Sequence, residues 1–244
     1  MKRLKWLLAC VMLGGLAAAP ARAEDARVAH PEPPDILDIL LGEPTAAQPG
    51  PFRDYACGTN GGPPAQALAG LDGYKSCPLE PGTGLHEVTF RYDDELEYYA
   101  LAMNLPPIAE RYGGTRFGSF PVIVSVLIGD DALVHGYRVV TDDRVPIRVR
   151  RMAYTMSILA KSRIPGDWTC QDFPLEAGET PVGRSAVKQY CVGRAADGQQ
   201  MVLQSRFFHR KGQTLIDQHS GNVREGFYES TTRLEVFDAS WTRP

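Results

Sequence analysis

The alternation of apolar and polar positions is clearest in the middle of the chain. Val122-Ile-Val-Ser-Val-Leu-Ile128 leads through Gly129-Asp130-Asp131-Ala132 into Leu133-Val-His-Gly-Tyr-Arg-Val-Val140. Two apolar runs of strand length around a Gly/Asp turn predict a β-hairpin, and apolar residues on both of its faces predict a central place in a covered sheet. With Asp130-Asp131 at the tip, Val126 faces His135 and Val124 faces Tyr137. His135 then lies on an apolar face, where a hydrogen-bonded core histidine is expected rather than a ligand.

Other segments repeat the strand pattern. Val88, Phe90 and Tyr92 alternate with Glu87, Thr89 and Arg91 over Leu85–Tyr92, and Ser185–Val192, Met201–Arg210, Thr214–Asp217 and Thr231–Phe237 also read as strands. A tight turn at Lys211-Gly212 would set Phe208 opposite Leu215 and Arg206 opposite Asp217. Helical spacing is rarer. Val149, Met152, Ala153, Met156 and Leu159 predict an amphipathic helix within residues 148–163. Arg148, Arg150 and Arg151 in its first turn oppose the macrodipole, which favours a later start with Val145–Val149 extended. Asp94 and Glu97 form a capping box ahead of Leu96, Tyr99, Ala100 and Met103, against a competing hairpin turned at Asp93-Asp94. The expected fold is α+β: a mainly antiparallel sheet with a few helices, stapled by two disulfides.

The N-terminal segment changes the picture of where the protein works. Lys2, Arg3 and Lys5 precede an apolar run from Leu7 to Leu16, and Ala21-Arg22-Ala23 supplies a small-x-small cleavage pattern. This is the layout of a signal peptide over residues 1–23, with the mature chain beginning at Glu24. The run falls short of the roughly 20 residues that span a bilayer, so no transmembrane segment is expected in the mature chain. Cys10 lies inside the apolar run, not just past it, which argues against lipidation there. The expected location is therefore outside the cytoplasm: the periplasm in a Gram-negative bacterium, otherwise the medium. Without its four basic leader residues, the balance of 26 basic against 29 acidic residues becomes 22 against 29, a net charge of −7. That excludes a general nucleic-acid binder, which would carry a basic excess.

Residues 24–52 are rich in Pro, Ala and Glu and read as a mobile arm, followed by a single α+β domain over 53–244. Inside the arm, Asp35 and Gly42 flank Ile36, Leu37, Ile39, Leu40 and Leu41 as N-cap and C-terminal glycine of a short helix. So much apolar surface must dock, either on the protein's own domain or in a partner's groove, and these five residues are the candidate partner-binding set.

Cys57, Cys77, Cys170 and Cys191 remain after cleavage. An even count in an exported chain predicts disulfides, and the pairing Cys57–Cys77 with Cys170–Cys191 closes two short Gly/Pro-rich loops. Tyr55-Ala-Cys57 and Trp168-Thr-Cys170 share an aromatic residue two places before the cysteine, a faint internal similarity.

Catalytic signatures are broken. His86-Glu87 begins like a zincin motif, but Phe90 stands where the second His belongs; Gly82-Thr-Gly84 begins like a dinucleotide fingerprint, but Glu87 replaces its last Gly. Asp93-Asp94, Asp130-Asp131 and Asp142-Asp143 are read as turn and cap residues. His209, Asp217 and His219 are the best metal trio on paper, but the expected register puts His209 on the opposite face, so no metal and no cofactor are expected. Arg144, Arg148, Arg150 and Arg151 are the candidate anion-binding cluster, against a solvated face paired with Asp142 and Asp143. These features point to an exported, soluble, non-enzymatic cell-envelope protein that binds an envelope protein or a small ligand. The alternative is a secreted hydrolase with an acidic site.

Overall fold

A computed structural model of the 244-residue chain describes residues 36–50, 52–92, 100, 102–105, 115–145, 150–212, 214–216, 223–225 and 228–242. The expected leader, most of the helix expected after Asp93, and Arg148, Asp217 and His219 lie outside the described residues.

The strands are β1 (Phe52–Cys57), β2 (His86–Tyr92), β3 (Arg116–Phe117), β4 (Phe120–Ile128), β5 (Val134–Thr141), β6 (Gly166–Asp172), β7 (Glu179–Thr180), β8 (Val187–Ala195), β9 (Gln200–Arg210), β10 (Thr214–Ile216), β11 (Val223–Glu225) and β12 (Tyr228–Phe237). Ten of them form one antiparallel sheet, ordered β1-β2-β4-β5-β12-β9-β8-β6, with β3 beside β4 and β7 beside β9. The order is that of two four-stranded meanders, β1-β2-β4-β5 and β6-β8-β9-β12, joined where β5 pairs with β12. The aromatic-x-Cys segments noted in the sequence fall on the outermost strand of each meander.

This architecture corrects the α+β expectation. The described residues hold a large antiparallel sheet and one sizeable α-helix, α1 (Met156–Arg163). Of the helix expected over 148–163, Arg150 is helical, a turn at Arg151-Met152 and a 3-10 turn at Ala153–Thr155 interrupt it, and α1 takes up Met156–Arg163. At the interruption, hydroxyls of the sheet take the backbone carbonyls that a continuous helix would use internally. Ser230 Oγ donates to the Arg151 carbonyl (3.0 Å), Thr232 Oγ1 to that of Ala153 (2.9 Å) and Ser205 Oγ to that of Tyr154 (2.8 Å).

Strand alternation divides the sheet into two faces. Val124 and Val126 on β4, Tyr137 and Val139 on β5, Leu234 and Val236 on β12, and Met201 and Leu203 on β9 share the core face. Met156 and Ala160 of α1 and Ile36, Ile39 and Tyr74 from the N-terminal region belong to the same buried cluster. Each fully buried side chain of this size contributes about 1.5–3 kcal/mol before ordering costs.

Residues 36–50, expected within a mobile arm, are part of this folded body. Ile36 is fully buried and Ile39 is 5% exposed, whereas Leu37 and Leu40 are exposed and Leu41 packs partly on the core. The helix expected here is only a 3-10 turn, Ile36–Asp38. The chain after it is fastened to β5 by hydrogen bonds from Gly42 N to Val134 O and from Thr45 N to Ala132 O. A docked segment this short gains more from those backbone bonds than from completing an isolated helix.

The central hairpin is present with a different register. Val126 pairs with Tyr137 and Val124 with Val139, and the ladder is irregular between Leu127 and Ile128. Ala132 takes a left-handed conformation (φ 66°), and Asp131 accepts the Leu133 N–H, so the turn is longer than an Asp-Asp tip. A shift of two residues preserves the faces, so the hydrophobic pattern alone does not exclude it. The hairpin expected at Lys211-Gly212 is also corrected. β9 pairs with β7, β8 and β12, while among the described residues β10 pairs with β11.

Candidate ligand-binding groove

The face of the sheet opposite α1 carries charge where the sequence pattern is most apolar. Ser125, Arg138 and Glu235 are cross-strand neighbours on β4, β5 and β12. Arg138 is 1% exposed. Its Nε donates to Glu235 Oε1 at 2.8 Å and its Nη2 to Glu80 Oε2 at 3.2 Å. Its Nη1 lies 3.0 Å from Glu87 Oε2, a charge contact without hydrogen-bond alignment. Arg233 shares the same Glu235 oxygen through Nη2 (2.8 Å) and Nε (3.2 Å), and reaches the Asn60 carbonyl through Nη1 (2.8 Å) and the Asn60 side chain through Nη2.

Backbone turns complete the cluster. Asn60 and Gly61, at φ 60° and 79°, aim their N–H groups at the two Glu87 oxygens, at 2.5 and 3.0 Å. A Cβ on Gly58 would lie 2.2 Å from the Glu87 side chain, so glycine is required for this close approach. Thr83 Oγ1 and the Gly82 N–H donate to Glu80.

The electrostatics follow from this packing. Burial pushes the Glu80 and Glu235 carboxyls up, but hydrogen bonds and neighbouring cations outweigh it and leave both below the ordinary carboxylate value. The cations are Arg138 at Glu80 and both arginines at Glu235. Burial also pulls Arg138 down, and the carboxylates of Glu87 and Glu235 more than reverse it. Arg233 falls below its ordinary value because burial and the neighbouring Arg138 outweigh Glu235. Three carboxylates thus surround two guanidiniums in a largely water-excluded cluster.

The cluster borders a cavity of about 390 Å³ lined by Glu80, Thr83, Arg138, Arg233, Gln204 and Arg206, among others. Gln204 and Arg206 also line a second cavity of about 310 Å³ with Phe173, Lys188 and Tyr190. The two cavities adjoin at Gln204 and Arg206 on the face of β12, β9 and β8 opposite α1, and together they are the candidate groove. One end is ionic and the other aromatic. Arg206 at the junction is exposed and reaches Glu229 at 3.3 Å. Lys188 is held by Glu176 (2.6 Å) and Glu179 (2.9 Å).

A still larger cavity, about 870 Å³, lies around Tyr55, Arg91, Arg116 and Arg144.

The candidates read from the sequence do not converge on the groove. Arg144 closes on its neighbour Asp142, with Nη2–Oδ2 at 2.7 Å, and Arg150 donates to the Asp143 carbonyl at 2.7 Å. Arg151 is exposed. Arg144 and Arg150 are thus engaged locally at the turn after β5, and the groove is built from other residues. Ile36 and Ile39 are committed to the protein's own core, and of the partner-binding set only Leu37 and Leu40 remain exposed. Cys57–Cys77 and Cys170–Cys191 are disulfides, with Cα atoms 5.3 and 4.0 Å apart. Among the described residues no group of three or more His, Cys, Asp or Glu is arranged to hold a metal.

The three described histidines sit in scaffold contacts. His86 lies between the Cys77 carbonyl (2.7 Å) and Asp130 (3.2 Å), and His209 packs edge-on to Tyr228. His135 occupies the bulge of β5, with Nδ1 2.6 Å from Asp238 and Nε2 3.0 Å from Asp131. Burial lowers its pKa and the two carboxylates raise it further, to a net value above the ordinary one.

Sequence reasoning missed Glu80, Glu87, Arg138, Arg233 and Glu235 as a unit. The available signal was a charge inside an apolar strand: Arg138 between Tyr137 and Val139, and Glu235 between Leu234 and Val236. No protein-family model, curated protein or solved structure matches this chain.

Proposed function

We propose that the protein is an exported, non-enzymatic binding protein of the cell envelope whose ligand is a polar small molecule. The groove on the open sheet face is the proposed site. The observation that carries this reading is the junction of the buried Arg138–Glu235–Arg233 network with an open floor of Gln204, Arg206 and Tyr190. A floor fixed by ion pairs offers donors and acceptors that need no reordering when a ligand arrives, and the aromatic end supplies a flat apolar contact. Arg206 and Gln204 would meet a carboxylate or carbonyl, while Tyr190 and Phe173 would cover a planar or aliphatic part. The leader-like N-terminus and the two disulfides support assignment to an oxidising compartment.

The hydrolase alternative receives less support. A paired-carboxylate hydrolase needs one carboxyl held protonated near neutral pH. The cations around Glu80 and Glu235 hold both in the ionised form. No described histidine lines the groove.

The test is a thermal-shift screen of amino acids, dicarboxylates and short oligosaccharides, followed by titration of the hits against Gln204→Leu and Tyr190→Ala. The reading requires at least one hit whose affinity falls about tenfold or more, roughly 1.4 kcal/mol, in both variants and is unchanged in Arg144→Ala. A hit that ignores the groove variants, or that is chemically converted by the protein, overturns it.

A further inference from the structure

The two disulfides occupy different chemical settings, and one of them has the features of an exchange site. Cys57 and Cys77 are 2% and 3% exposed and belong to the core cluster. Cys170 and Cys191 face each other directly across β6 and β8. Cys191 is 1% exposed, but Cys170 lies on the outermost strand of the sheet and is open to solvent. Lys161, in the last turn of α1, places its ammonium 3.1 Å from Cys170 Sγ and is fixed there by Gln189 Oε1 at 3.0 Å.

From this geometry we infer that Cys170–Cys191 is a thiol–disulfide exchange site, opened by an external dithiol attacking Cys170 with Lys161 as the positioning charge. The reagent's thiolate forms a bond to Cys170 Sγ, and the Cys170–Cys191 bond breaks with its electron pair leaving on Cys191. The second thiol of the reagent, once deprotonated, then attacks the reagent's own sulfur in the mixed disulfide. That expels Cys170 as a thiolate beside the Lys161 ammonium. The dithiol is oxidised to its disulfide, and the protein gains two electrons and, after protonation of its thiolates, two protons. Access selects the sulfur to be attacked, and the ammonium favours both the approach of the reagent's anionic thiolate and the later expulsion of Cys170 as a thiolate. Cys57–Cys77 has no comparable exposed sulfur. Opening the edge bond would leave β6 held to β8 by its ladder and side-chain contacts, next to the Phe173 end of the groove.

The experiment treats the folded protein with dithiothreitol in non-denaturing buffer, quenches with an alkylating reagent over time and maps the labelled cysteines by mass spectrometry. Circular dichroism monitors the fold in parallel. Cys170 and Cys191 should label at least about tenfold faster than Cys57 and Cys77 while the spectrum stays native. Lys161→Met should slow that labelling several-fold and Lys161→Arg should restore most of it. Added salt should slow the native protein more than Lys161→Met, a comparison internal to each protein and independent of any change in its stability. Equal labelling of the two pairs, earlier labelling of Cys57 and Cys77, or labelling only on unfolding overturns the inference. A Lys161→Met rate and salt dependence equal to those of the native protein overturns the role of Lys161.

Discussion

The two meanders use the same strand order to different ends. In β1-β2-β4-β5 the central strands are covered on both faces: β4 is buried from Val122 to Ile128, and even its charged neighbour Arg138 on β5 is closed off from water. In β6-β8-β9-β12 the covering thins toward the edge. β6 is exposed at nearly every position, and Phe173 and Val192 show 44% and 46% of their surface. The disulfides follow the same division, one sealed in the core and one at the rim. The comparison teaches that a single sheet can supply both a rigid polar anchor and an adaptable surface, with the groove where they meet. Elements with few buried contacts are the ones able to open locally, and binding surfaces draw on them.

The sharpest way to break this comparison is to remove the charge at the centre of the closed half. Arg138→Met leaves Glu80, Glu87 and Glu235 without their shared guanidinium, and should cost about 3–5 kcal/mol in urea unfolding. Arg206→Met, at the exposed junction, should change stability by no more than about 0.5 kcal/mol. Similar losses at both positions would erase the distinction between anchor and floor.

The docked N-terminal segment gives the next largest effect. Ile36→Ala should cost about 2–4 kcal/mol because the side chain is fully buried in the core cluster. Leu37→Ala, at a residue 37% exposed, should cost less than about 1 kcal/mol. Equal small effects would return the segment to the status of a loose arm.

The disulfides sharpen the comparison in a different way. Their sequence separations, 20 and 21 residues, are nearly equal, so the chain-entropy account gives each about 3 kcal/mol. Replacing either pair by serines should therefore lower stability by similar amounts, apart from differences in how well each serine pair is accommodated. The expected contrast is in rates of reduction, not in equilibrium stability. A large equilibrium gap with matched reduction rates would invert the account.

The smallest expected effect is a dependence on pH at the bulge of β5. The His135 pKa is raised in the fold, so its clasp between Asp238 and Asp131 is fully stabilising below the unfolded value of about 6.5 and is lost as pH rises through the higher folded value. Asp131 and Asp238 are lowered, chiefly by hydrogen bonds that outweigh burial, and their contribution disappears only as pH falls through their depressed values. Stability measured by urea titration should decline modestly from mildly acidic pH through the alkaline side of neutrality. His135→Asn should flatten that decline.

Much of the sheet was legible because its strands alternate. The face assignments of β2, β4, β9 and β12 follow from Val88, Val126, Leu203 and Leu234. Registers were less accessible: Ala132 is left-handed in a turn where Asp131 bonds the Leu133 N–H, and the bulged His135 is held by the distant Asp238. The break at 151–155 in the expected helix was not legible, because the 3.6-residue period there says nothing of the hydroxyls that Ser205, Ser230 and Thr232 donate to its carbonyls. The groove was illegible for a stronger reason. Glu80, Glu87, Arg138, Gln204 and Glu235 come from distant parts of the chain, and the pairings β2-β4-β5, β5-β12 and β12-β9 together bring the strand residues among them side by side.

The most direct measurement of the central claim is an NMR titration of the isotope-labelled protein with the hits of the small-molecule screen. The account predicts amide and side-chain shifts concentrated at Tyr190, Gln204, Arg206 and Arg233, with the ligand's own signals unchanged over time. Shifts centred instead on residues 121–145 away from the groove, or ligand signals giving way to those of a product, would contradict it.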